Sequence, residues 1–112
     1  MPRDMLEEAP TIATESWRDV LLRAADLIIE RGHCKFVQQD QLGRLCLHGA
    51  LSIAAHGKPY EFTQEASRAV CQYLRSVGEH IPHDACAAAW NNVDERTPEQ
   101  VVAVLRAAAT RK

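Results

Sequence analysis

Aromatic residues make up only 5% of this chain, glycine and proline contribute five residues each, and neither a long apolar run nor a block of five like charges occurs. A membrane-spanning helix needs about 20 predominantly apolar residues in a row, so the chain is not expected to enter a bilayer. Thirteen Lys and Arg against fifteen Asp and Glu give a net charge of −2, which offers no platform for a polyanion. The glycines form no phosphate-cradling loop, and neither a Gly-x-Ser-x-Gly elbow nor a His-Glu-x-x-His motif is present. Catalysis is therefore not expected. Residues 1–14 carry acids and prolines where a secretion signal would have an apolar centre, which predicts a cytoplasmic protein. In that compartment Cys34, Cys46, Cys71 and Cys86 are expected as reduced thiols.

What remains is rich in alanine and leucine, residues that favour helix over strand, within a hydrophobic share of 46%. A length of 112 residues suits one domain. Residues 1–14 lack any period and read as a flexible arm, and residues 15–112 as a single helical domain. Ser16 and Asp19 have capping-box spacing, and Trp17, Val20, Leu21, Ala24, Ala25 and Ile28 recur at helical intervals before Gly32, predicting a helix over 16–31. The period then fails from Cys34 to Leu45. Phe36 and Val37 are β-prone and Asp40-Gln41-Leu42-Gly43-Arg44 is turn-like, predicting a short β-hairpin or an ordered loop. Helical spacing returns over 46–56, where Gly49 inside the helix predicts close approach of another backbone, that of the first helix. Thr63 is the expected N-cap of a helix over 64–77, and the alanine-rich run before Trp90 predicts a small fourth helix. Thr97-Pro98-Glu99-Gln100 combines an N-cap, a first-turn proline and a capping-box glutamine for the last helix. The predicted fold is all-α, a compact bundle of four or five helices in which the first, third and fifth supply most of the core.

Three landmarks follow one another: Arg31-Gly32-His33-Cys34, then Cys46-Leu47-His48-Gly49-Ala50-Leu51, then Trp90-Asn91-Asn92 leading into Arg96-Thr97. In these the chain resembles, over most of residues 17–109, an uncharacterised family of small helical proteins from actinobacteria and their phages. Asp40, Gly43 and Arg44 match the turn that those proteins place between their two cysteine landmarks. His33 stands where the family usually has tryptophan and Asn92 where it usually has aspartate, so a role needing a carboxylate there does not carry over. The resemblance implies a helical fold and brings no activity with it.

Two groups of residues are candidate sites. Trp90, Asn91, Asn92 and Arg96 form either a clasp, with the indole in the core and the asparagines bonded to loop backbone, or a polar recognition surface. Cys34, Cys46 and His48, with His33 adjacent, supply the donors zinc prefers but lack a Cys-x2-Cys knuckle, and buried thiols pinning the loop ends are the alternative. His80, His83 and Cys86 follow at three-residue steps, which on a helix would align them. Cys34 after Gly32-His33 is the one suggestive setting for a cysteine nucleophile, which would need an activating base. Arg68, Arg75, Arg106, Arg111 and Lys112 are the candidates for phosphate contact, yet the alanine-rich fourth helix offers no base-reading side chains, so nucleic acid is not an expected partner. The first functional reading is a non-catalytic interaction or regulatory protein without a cofactor, its partner a host protein or a second copy of itself, and phage-derived by the resemblance. A zinc-dependent sensor or enzyme using Cys34, Cys46, His48 and His33 is the second. A weak DNA-binding regulator is the third.

Overall fold

The computed structural model describes residues 16–61, 63–79 and 87–111. Five helices follow in order: α1 (Trp17–Arg31), α2 (Leu47–His56), α3 (Gln64–Ser76), α4 (Ala88–Asn91) and α5 (Pro98–Thr110). The expected arm over 1–14, together with His80, Pro82, His83 and Cys86, lies outside the described residues.

The helices begin where side chains can meet their first amides. At α5 the box is complete: Thr97 accepts from the Gln100 amide and the Gln100 side chain accepts from the Thr97 amide. At α1 only half of the expected box forms. Ser16 accepts from the Asp19 amide at 3.2 Å, but the Asp19 carboxylate takes the Ser16 hydroxyl at 3.1 Å instead of a backbone amide. Thr63 occupies the N-cap position of α3 without making a side-chain cap bond. At α2 the cap is Cys46, whose Sγ accepts from the Gly49 amide at 3.3 Å.

α1 packs against α5 and α2, and α3 against α5 and α1. Leu21, Ile28, Leu74, Val101 and Leu105 are fully buried, as helical periodicity predicts. The second helix carries more of the core than expected, because Leu47, Ala50, Leu51 and Ala54 are all sealed together with Leu45 just ahead of it. Burying one leucine is worth about 1.5–3 kcal/mol, so α2 is a principal support of the fold. Two arginines of α1 reach the carbonyl ends of its neighbours, Arg18 donating to Ala109 O and Arg23 to Ala54 O, each at 2.9 Å. Cations at those ends also complement the helix dipoles.

Residues 33–45 are an ordered loop, and among the described residues no strand forms. Isolated bridges join Leu45 to His33 and to Gln39. A hairpin is prevented by Phe36, whose φ of 72° turns the chain out of the extended region. The turn at 40–44 forms as the sequence predicts: one Asp40 oxygen accepts from the amides of Leu42 (3.0 Å) and Arg44 (2.9 Å), and the other takes Arg44 Nε at 2.6 Å. The close approach expected at Gly49 is also present, but with a different partner. A Cβ at Gly49 would lie 1.9 Å from Gln38 O, so the loop, not α1, seats on α2 at this point.

Candidate recognition cleft

Two neighbouring asparagines, Asn91 and Asn92, tie the loop to the end of α4. Asn91, at the end of α4, is 1% exposed. Its Oδ1 accepts from the Leu47 amide at 3.0 Å and lies 2.7 Å from His33 Nε2, while its Nδ2 donates to Cys34 O (3.3 Å) and to Asn92 Oδ1 (3.1 Å). A backbone amide can only donate, so the Leu47 bond identifies that atom as oxygen and makes His33 Nε2 the proton donor. Both lone pairs and both hydrogens of the amide are thereby used, which is what a polar group sealed in a core requires. Asn92 Oδ1 also accepts from the Phe36 amide at 2.8 Å. Arg96 closes the unit from the far side, donating through Nε to Trp90 O at 2.8 Å with its guanidinium 3.8 Å from the centre of the Trp90 ring.

Of the candidates Trp90, Asn91, Asn92 and Arg96, the first two are thus buried, and the asparagines tie loop backbone as a clasp would. Trp90 is 5% exposed, and its Nε1 has no hydrogen-bond partner among the described residues.

Beside this clasp opens a cleft of about 540 Å³ between the loop, the 57–61 segment and the start of α3. Its lips are Phe36 and Tyr60, which are 76% and 64% exposed. Both have left-handed backbones, with φ of 72° and 68°. Each is held there by a side chain: the Phe36 amide by Asn92, and the Tyr60 amide by Gln38 Oε1 at 2.7 Å. Ser52, wholly buried, fixes the Tyr60 segment from below, donating to Lys58 O at 2.6 Å and accepting from the Glu61 amide at 2.8 Å. Inside, the lining includes Val37, His48, Thr63 and Ser67. His48 Nε2 is sealed without a partner among the described residues, and burial pushes the imidazole below its ordinary pKa, which keeps it neutral at pH 7.

Sequence reasoning did not single out Gln38, Ser52 or Tyr60 as parts of a site. The one signal available was Gly49 within a helix, which pointed to a close contact without naming Gln38.

The zinc donors are not gathered as a metal site would need. No group of three or more His, Cys, Asp or Glu side chains among the described residues is placed to hold a metal ion. His33 serves Asn91, Cys46 caps α2, and the single Cys34 S–H is shared between Val37 O (3.3 Å) and Arg44 O (3.2 Å). Burial first, then the neighbouring Cys46 and Asp40, push the Cys34 thiol up to about 11, outweighing Arg44, so it is no ready nucleophile at neutral pH. Of the arginines considered for phosphate, Arg106 lies 3.6 Å from Asp26, and Arg68 and Arg111 line a separate pocket together with Glu65.

A family model described as a family of unknown function (DUF6197) matches residues 13–111. Neither a curated protein nor a solved structure matches the chain.

Proposed function

The chain belongs to the DUF6197 family of unknown function, membership that brings no activity with it, and we propose from the geometry that it is a non-catalytic recognition domain acting on a protein partner. The observation that carries this reading is the pair Phe36 and Tyr60. A bulky residue in the left-handed region costs roughly 1–3 kcal/mol, and neither ring recovers that cost by burial. The strain is maintained by Asn92 and Gln38, and its result is two aromatic rings presented to solvent at the mouth of a cleft. Aromatic side chains in such settings are typical anchors of interfaces. No helix among the described residues is long and apolar enough to cross a membrane, and a cytoplasmic setting is part of the proposal. A phage origin, and with it a host protein as partner, is part of the proposal and rests solely on the family resemblance carried by the landmark residues from Arg31 to Thr97. The test is capture of binding proteins from an actinobacterial lysate by the intact chain and by the Phe36→Gly/Tyr60→Gly variant. The reading expects a band retained by the former and lost by the latter. Identical retention by both would overturn it.

A further inference from the structure

We propose that the outer face of α1 and α5 binds a second copy of this chain, the two copies related by a two-fold axis with their α5 helices antiparallel. This face lies apart from the Phe36 and Tyr60 cleft and does not rest on it. Helical spacing puts Glu99, Val102, Ala103 and Arg106 on one stripe of α5, and Leu22, Asp26 and Ile29 on one stripe of α1. The two stripes meet. Arg106 Nη2 lies 3.6 Å from Asp26 Oδ1, and Ile29 lines a groove of about 580 Å³ with Pro98, Val102 and Ala103. Apolar surface here is left over from the core, since Leu22 is 42% and Ile29 60% exposed.

The charges select the occupant. Glu99 and Arg106 stand two turns apart with Val102 and Ala103 midway, so reversing the helix about a point between those two sets each Glu99 against the other copy's Arg106. A two-fold interface needs a surface that is its own complement, and the order acid, apolar pair, base supplies one. An unrelated protein would have to carry the inverse pattern, which a second copy already does. Both charges are open to it. Glu99 is exposed and makes no ion pair among the described residues, and the contact of Arg106 with Asp26 joins two side chains that are each more than half exposed, a pair that holds neither firmly. At the centre Ala103 carries only a methyl, which lets two helices approach closely. Leu22 and Ile29 cover the flanks with apolar surface, and the charge pairs fix the register.

The experiment is sedimentation equilibrium of the full chain, of Glu99→Arg, of Arg106→Glu and of an equimolar mixture of the two variants. The chain weighs 12.5 kDa, and the parent is expected at twice that mass at about 100 μM. Each reversal sets like charges opposite one another at both contacts and should weaken association at least about tenfold. Glu99→Arg breaks no ion pair within its own copy, and both positions are exposed, so circular dichroism of the variants should match the parent. In the mixture opposite charges face each other again at both contacts, and a mixed dimer should form with an affinity within about threefold of the parent's. A parent that stays at 12.5 kDa, a dimer that neither reversal weakens, or a mixture that does not recover would overturn the assignment. A monomeric chain that captures a foreign protein and loses it in Arg106→Glu gives the face to that protein, and overturns the assignment as well.

Discussion

Replacing Asn91 by aspartate changes one atom of a buried side chain without opening a cavity, which isolates the hydrogen-bond function of the clasp. In Asn91→Asp the two acceptor bonds, from the Leu47 amide and His33 Nε2, survive. The two donor bonds do not, because the new oxygen faces Cys34 O and Asn92 Oδ1, now 3.3 and 3.1 Å away with nothing to share. Cys34 O is left unpaired at a cost of about 1–3 kcal/mol, Asn92 Oδ1 keeps the Phe36 amide but now faces a like oxygen, and sealing a carboxylate at a 1% exposed position adds several kcal/mol. The expected loss is at least about 3 kcal/mol, a large part of the roughly 5–15 kcal/mol that holds a domain together. Urea unfolding followed by circular dichroism measures it, and the midpoint should fall with the slope unchanged. Asn92→Asp is the control. Asn92 uses its Oδ1 as acceptor for the Phe36 amide and Asn91 Nδ2, a role a carboxylate fills, so its stability should stay within about 1 kcal/mol of the parent. Equal effects of the two substitutions, or a loss below about 1 kcal/mol for Asn91→Asp, would refute the account of the clasp.

Three further outcomes follow from the same contacts. Gly49→Ala, which in an ordinary helix stabilises by about 1 kcal/mol, should instead destabilise by at least about 2 kcal/mol in thermal or urea unfolding, because the methyl would overlap the Gln38 carbonyl. His48 has a depressed pKa in the folded state, so the unfolded chain binds more protons as pH falls below about 6.5 and stability declines there. His48→Gln should flatten the part of the Tm profile lost between pH 7 and 5, and an unchanged profile would remove His48 as its source. Cys34, raised from 9.0 to about 11, should carry about a hundredfold less thiolate at pH 8 than an unperturbed thiol, and mass spectrometry of iodoacetamide-treated protein should find it alkylated correspondingly slowly.

The helices were legible in the sequence because their signals are local. Ser16, Thr97 and Gln100 sit within one turn of the amides they meet, and the apolar stripes of α1 and α3 repeat every three or four residues. The 40–44 turn was legible for the same reason, since Asp40 closes on amides two and four residues ahead. The site was not. The partners of Asn91 are His33, Cys34 and Leu47, 44 to 58 residues away, and no period connects them. Nor does any propensity place Phe36 or Tyr60 at positive φ, since those conformations go with amide bonds to Asn92 and Gln38, which are distant in sequence. Of the hairpin and the ordered loop that the sequence allows over residues 34–45, the loop forms, because β-prone Phe36 is held by a tertiary bond in a conformation no strand adopts.

The central claim is that Phe36 and Tyr60 are displayed for recognition and not retained for the fold. Its most direct test is the unfolding free energy of the Phe36→Gly/Tyr60→Gly variant. Glycine relieves the left-handed strain at both positions, keeps both backbone amide bonds and removes little buried surface, so stability should equal that of the parent or exceed it by up to about 1 kcal/mol. A loss of more than about 1 kcal/mol would show that the two rings support the structure, and would contradict the claim.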